Sequence, residues 1–202
     1  MDSNRKFWDR HARLYTPIQE KGNRELFGIV IPQCGRYITP DTRVLELACG
    51  TGQFTLPLAP RAGSWEATDF SPNMIGEARK RNIPGARFSV QDATDLPYGD
   101  GSFDLVLIAN ALHIMPEPEK ALSEIRRVLT PSGILLAPTF VYEGRCQTLR
   151  LRIMELGGFR TFFRWTSQDL ADFVSARGFQ VLEKTVIPGK PVPECFLAAK
   201  KV

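Results

Sequence analysis

Glu46 lies in the run Arg-Val-Leu-Glu-Leu-Ala-Cys-Gly-Thr-Gly, residues 43–52, where Val44, Leu45 and Leu47 ask to be buried. Desolvating a carboxylate among them costs several kcal/mol unless something pairs with it, and a ligand is the natural partner. A buried arginine is the alternative. Gly50 and Gly52 carry no β-carbon, so bare N–H groups at the start of the next helix can approach a bound molecule. Asp69 and Asp92 each follow a further apolar run, at the point where strand gives way to loop. Taken singly they are ordinary cap or loop residues; placed after successive strands they gather where open α/β sheets bind ligands. His113, three positions beyond Asn110 and a fourth apolar run, is the side chain best placed to take a proton. Shaping a pocket without titrating is an equal reading of it. His11 reads as a helix-surface residue, and Asp104 as a group that fixes local backbone.

From residue 43 onward, short apolar strands alternate with amphipathic helices, which predicts a mostly parallel sheet with helices on both faces. Seven strands are expected, over 43–48, 64–69, 86–91, 103–109, 133–141, 179–187 and 194–200. Helices fit 52–60, 71–82, 117–129, 145–156 and 167–177. Ser71-Pro72 reads as an N-cap with proline at the first helical position, and Glu77 is spaced to pair with Arg81. Thr166 with Asp169 resembles a capping box, and Gly178 ends that helix. Before the sheet, Phe7, Trp8, Ala12 and Tyr15 share a helical stripe, and a second helix from about Gln19 meets Pro32, which should interrupt or kink it. Residues 1–40 are therefore expected to form a helical cap over the strand ends, and 41–202 a single ligand-binding domain.

Composition narrows the class. The 202 residues, 43% hydrophobic and 24% charged, suit one globular domain that can stand without disulfides or metal. Cys34, Cys49, Cys146 and Cys195 match neither a zinc spacing nor a compact disulfide framework and read as reduced, buried thiols, so no metal is expected. The charged opening lacks a signal-peptide core, and Leu105 to Met115 is too short to cross a bilayer, which takes about 20 residues. A cytoplasmic protein is expected. The net charge of +4 is small and its cations are scattered, which argues for solvated faces.

Together, Val44-Leu45-Glu46-Leu47-Ala48-Cys49-Gly50-Thr51-Gly52, Thr68-Asp69-Phe70-Ser71-Pro72-Asn73-Met74, Gln91-Asp92-Ala93-Thr94-Asp95-Leu96-Pro97, Ser102 to Val106 and Glu124 to Gly133 resemble the class I S-adenosylmethionine-dependent methyltransferases. The similarity is to their small-molecule branch, which includes ubiquinone/menaquinone-type enzymes, and covers about residues 40 to 140. It implies a Rossmann-like sheet and S-adenosyl-L-methionine as cofactor, with S-adenosyl-L-homocysteine as product. It further implies that Glu46 and the loop Ala48, Cys49, Gly50 and Gly52 surround the methionine moiety; the family usually has glycine where Ala48 stands. Asp69 would accept from both ribose hydroxyls, Phe70 and Met74 line the adenine, Asp92 and Ala93 take the adenine amino group, and Asn110 opens toward the acceptor. By placement rather than resemblance, His113 is the candidate base where the acceptor must lose a proton, and Tyr15, ending the first helix, either closes over the sulfonium with its ring or hydroxyl or simply packs that helix.

A dinucleotide dehydrogenase shares the glycine loop and the ribose-binding acid. From Gly50, however, the loop reads G-x-G-x-x-T and lacks the third small residue of that fingerprint. The expected acceptor is a small molecule methylated on oxygen or nitrogen. Aromatic residues from Phe140 to Trp165, interleaved with arginines, could form a flap over 142–166 that lines an apolar or anionic pocket or touches a membrane surface peripherally. The alternatives are a non-catalytic S-adenosylmethionine-binding protein and an RNA methyltransferase. Asn110-Ala111-Leu112-His113 lacks the Pro-Pro-aromatic run of enzymes that methylate a flipped base, which argues against nucleic acid.

Overall fold

The computed structural model describes residues 3–143, 160–190 and 192–202, and their side chains apart from those of 3 and 14–21. Two helices lead the chain, α1 (Ser3–Gly22) and α2 (Arg24–Gly35). Then follow β1 (Arg43–Leu47), α3 (Thr55–Leu58), β2 (Ser64–Asp69), α4 (Pro72–Lys80), β3 (Ala86–Val90) and β4 (Phe103–Ile108). The described chain closes with α5 (Pro118–Val128), β5 (Leu129–Leu136), β6 (Thr139–Phe140), α6 (Ser167–Ser175), β7 (Phe179–Ile187) and β8 (Glu194–Lys201).

Strands β3, β2, β1, β4 and β5 lie side by side in that order and run parallel. Strand β8 joins β5 antiparallel and carries β7 antiparallel on its other side. The chain leaves β1 toward β3 and returns to β4 on the opposite side. The carboxyl ends of β1 and β4 thus form the switch point at which such sheets open a crevice.

Eight strands are present among the described residues, one more than the sequence predicts, because the expected strand over 133–141 is two. Strand β5 starts earlier, at Leu129, and β6 continues along the same edge of β8. Pro138 interrupts them: it has no N–H, and its carbonyl accepts from the Asn110 N–H at 2.7 Å instead of joining the sheet ladder.

Helices α5 and α6 cover one face through Leu122, Ile125, Leu170 and Val174, and α2, α3 and α4 cover the other through Val30, Leu58 and Ile75. All seven of these side chains are buried, which explains why the strands between them read as continuous apolar runs.

Local signals meet several outcomes. Ser71 caps α4 by accepting the Met74 N–H at 3.1 Å, and Thr166 with Asp169 closes a full capping box on α6. Glu77 pairs with Lys80 at 2.7 Å rather than with Arg81, whose guanidinium donates to the Thr51 carbonyl. The helix expected over 52–60 shrinks to α3 and a 3-10 turn, Ala59–Arg61, since Gly52 still belongs to the turn at φ +84° and Pro60 follows closely. Helix α2 runs through Pro32 to Gly35. The helix expected over 145–156 lies outside the described residues. Asp104 holds backbone as expected: it accepts from the Arg43 N–H at 3.1 Å and from its guanidinium at 2.8 and 2.9 Å.

Candidate active site

A cavity of about 330 Å³ opens at the switch point. Its walls bring together Ala48 and Gly50 after β1, Asp69, Phe70 and Met74 around the β2–α4 junction, Asp92 and Ala93 after β3, and Asn110 and His113 after β4. Elements far apart in sequence therefore converge because each of the four parallel strands ends on the same side of the sheet.

The turn after β1 is built from left-handed backbone: Ala48 has φ +53° and Gly50 φ +56°. Asn110 has φ +54°, so both central strands leave the sheet through a non-glycine residue in this region, which costs an L-residue about 1–2 kcal/mol. Asn110 tolerates it better because a short amide can bond locally. Its Oδ1 accepts the Phe140 N–H at 3.1 Å, tying β4 to β6.

Asp69 forms the polar floor. Its Oδ2 accepts the Gly50 N–H and its Oδ1 the Ser71 N–H, both at 2.9 Å. Each carboxylate oxygen has a second lone pair, so two acceptor positions remain for a ligand with paired hydroxyls. Burial pushes this carboxyl up to about 6 despite the two N–H donors, and nearby Asp9 adds to the effect. Asp92 accepts from the N–H and hydroxyl of Thr94 at 2.9 and 2.7 Å and stays exposed at the rim.

Three predicted residues do not line the cavity. Glu46 points to the α2–α3 side, where its Oε2 accepts from the Thr55 hydroxyl at 2.6 Å and the Trp65 indole at 2.9 Å. Its partners among the described residues are thus two neutral donors and no arginine. Burial pushes it up to about 7, against the lowering effect of those two hydrogen bonds. Cys49 is buried among apolar neighbours on that same side, and Gly52 packs where an added β-carbon would lie 3.1 Å from Ile83. Both shape the turn from behind. The Tyr15 side chain lies outside the described ones.

His113 does line the cavity, and burial pulls its imidazole down to about 4, so it is neutral at physiological pH. Its Nδ1 has no hydrogen-bond partner among the described residues, and neither has the nearby cavity-lining Thr161 hydroxyl. The backbone explains their proximity: the His113 carbonyl accepts the N–H groups of Phe162 and Phe163 at 3.1 and 3.0 Å. Of the expected aromatic flap, Phe140 and Tyr142 face the cavity, while Phe163 stacks on Trp165 at 4.9 Å and Trp165 packs on Phe173 of α6.

Sequence reasoning misses Asn4, Trp8 and Thr161 as wall residues. Trp8 carried a signal, its place on the apolar stripe of α1. Asn4 carried none, yet its amide donates to the carbonyls of Ile114 and Arg160 at 2.8 and 3.0 Å and its oxygen accepts the Arg160 N–H at 2.9 Å. Asp9, one face further along α1, accepts from the Ser71 hydroxyl.

A Rossmann-like sheet with a glycine turn, an acid fixed after its second strand and a cavity at its switch point defines a ligand-binding fold of the doubly wound class. Comparison with known proteins gives the family. A methyltransferase domain model matches residues 45–137. An uncharacterized methyltransferase of Synechocystis sp. is 34% identical over 156 residues, 75% of this chain and 73% of that protein. The demethylmenaquinone methyltransferase of Renibacterium salmoninarum is 43% identical over 101 residues, 50% of this chain and 42% of that protein. The chain thus spans less than half the length of that relative. Among solved structures, an S-adenosylmethionine-dependent methyltransferase of Thermotoga maritima superposes with a TM-score of 0.77 at 22% identity, covering 97% of this chain and 98% of its own. The methyltransferase complex with the Trm112 activator of Haloferax volcanii gives a TM-score of 0.81 at 19% identity, covering 98% and 96%. The chain belongs to the S-adenosylmethionine-dependent methyltransferase family, whose cofactor is S-adenosyl-L-methionine. Among the described residues no helix is long and apolar enough to cross a membrane.

Proposed function

We propose that this chain transfers a methyl group from S-adenosyl-L-methionine to a hydroxyl or amine of a small molecule, in the cytoplasm. The cofactor supplies an electrophilic methyl on a sulfonium and leaves as S-adenosyl-L-homocysteine. The observation that carries the reading is Asp69, fixed by two backbone N–H groups at a cavity wall with two lone pairs to spare. A carboxylate so held suits two adjacent ribose hydroxyls. Ala48 and Gly50 would hold the amino-acid tail, Phe70 and Met74 the adenine faces, and Asp92 with Ala93 the adenine edge. Glu46 supports the turn through Thr55 and Trp65 rather than by touching the ligand.

On the acceptor side, apolar walls from Ile114, Met115 and Phe140 meet the imidazole of His113 and the hydroxyl of Thr161. Neutral His113 can accept a hydrogen bond from an acceptor hydroxyl, and Thr161 can donate one to it, which orients the nucleophile. With a good leaving group, alignment and exclusion of water supply much of the rate, about 7–11 kcal/mol in favourable cases. Residues 1–40 act as the cap and 142–166 as the acceptor-side flap in this reading, although 144–159 lie outside the described residues. A small, ring-bearing acceptor is favoured by the mostly apolar wall. The relatives include demethylmenaquinone methyltransferases, named for a quinone-type substrate, which suits a ring-bearing acceptor.

Titration calorimetry with S-adenosyl-L-methionine tests the reading. Submillimolar binding, weakened at least 100-fold in Asp69→Ala, is expected. Absence of binding, or equal binding by the variant, overturns it.

A further inference from the structure

Glu194 opens β8 fully buried, 0% exposed, and among the described residues no hydrogen bond of ordinary geometry reaches its carboxylate oxygens, the Asn110 amide alone lying near enough to favour the charged form. A buried carboxyl so thinly supported is costly and calls for a role. None of the groups named above for cofactor or acceptor uses it.

Its surroundings place it directly behind the cavity wall. Across the sheet it pairs with Phe140 of β6 and Ile187 of β7, both apolar. From the end of β4, the Asn110 amide is the group that favours its charged form. From α2 the facing titratable group is the Cys34 thiol, which burial and Glu194 itself keep protonated. Glu143 and Lys184 act on the neighbouring Cys195, whose side chain alternates to the opposite face. No cation among the described residues neutralises Glu194, while Asn110 and Phe140, which touch it from the front, line the cavity. Burial pushes its carboxyl up to about 8, so the cavity as it stands is backed by a neutral acid.

We propose that Glu194 is the counter-charge for the cofactor's sulfonium: when the cation occupies the cavity beside Asn110, the Glu194 carboxyl gives its proton to solvent and becomes a carboxylate. The inference rests on the cofactor reading above. The balance is one proton out for one positive charge in. Methyl transfer turns the sulfonium into a neutral thioether, the attraction disappears, and Glu194 takes a proton back. Glu194 stands behind Asn110, which lines the cavity, in a weakly screened interior where a unit charge would be felt strongly. The consequence is discrimination: the charged methyl donor is held more tightly than the spent product. Glu194 would be a binding residue that never touches the ligand.

Calorimetry at pH 7 in buffers of different ionisation enthalpy counts the protons released on binding. S-adenosyl-L-methionine should release up to one more proton than S-adenosyl-L-homocysteine. Asp69 and Glu46 respond to parts that both ligands share, so the difference isolates the sulfonium. Glu194→Gln, nearly isosteric, should erase the difference and reduce the preference for the donor about tenfold, whereas Glu46→Gln should keep both. The wild-type protein alone provides a second check: its donor-over-product preference should rise from pH 6 to pH 9. Equal proton counts for the two ligands, or a difference that survives in Glu194→Gln, overturn the inference. Failure of either ligand to bind overturns the cofactor reading instead.

Discussion

The Asp69 carboxylate accepts the Gly50 N–H at 2.9 Å and so locks the turn after β1 to the end of β2. One side chain thereby fixes the glycine loop before any ligand arrives. Asp69→Asn replaces one acceptor oxygen with a donor that faces an N–H group. Affinity for S-adenosyl-L-methionine and for S-adenosyl-L-homocysteine should fall together, about tenfold or more, by calorimetry, since each good hydrogen bond to a charged group contributes about 1.5–3 kcal/mol.

Ala48 holds φ +53°, a conformation in which its methyl group is strained. Ala48→Gly should relieve about 1–2 kcal/mol of that strain and give back part of it through the freer unfolded chain. A net gain of about 0.5–1 kcal/mol in urea denaturation is the expected result. A loss would mean that the methyl group packs usefully against its neighbours.

Glu46 and Glu194 share a pH signature. Burial raises them to about 7 and about 8, far above the ordinary carboxylate value of 4.5. A raised folded-state value means that the folded protein binds protons more readily than the unfolded chain, so stability declines as pH climbs through that value. The loss begins above the ordinary carboxylate value and ends near pH 8; its upper part, pH 6.5 to 8, lies above the ordinary imidazole value, so His113 no longer offsets it there. Urea midpoints should fall across it, with Glu194 responsible for about 2 kcal/mol, and Glu194→Gln should flatten the slope. A flat wild-type profile would refute this.

Thr161→Val removes a hydroxyl that faces the cavity without a partner of its own. Protein stability should change little, and cofactor affinity should hold. The KM for a hydroxyl-bearing acceptor should rise about tenfold, the ordinary cost of leaving a substrate polar group unpaired. An unchanged KM would place the acceptor elsewhere.

The periodicity that revealed β1 to β4 and their helices is direct physics: strands buried on both faces must be apolar throughout, and acids that interrupt them stand out. Asp69, Asp92 and Asn110 were legible for that reason, because strand ends in a parallel sheet share one side. Glu46 stands out as an anomaly in its strand, but its partners are not visible in the sequence, since Thr55 and Trp65 reach it only once α3 and β2 pack. The same signal stands at Glu194, a carboxylate heading an apolar strand, and the strand's position at the chain's far end hid its link to Asn110. The break at Pro138 escaped because β5 and β6 lie on one line along β8, so the apolar run continues across it. Asn4 has no pattern to betray it; its role depends on two carbonyls 110 and 156 residues away.

That Asn4 clasp has a mechanical meaning. A single carboxamide fastens the first turn of α1 to both the segment after β4 and the segment before α6. The N–H groups of Phe162 and Phe163 on the His113 carbonyl already tie those two segments to each other, so Asn4 adds α1 to a rim that is closed on itself. Whatever widens the mouth for an incoming molecule must either carry all three segments together or first break the Asn4 hydrogen bonds that hold α1 to that rim.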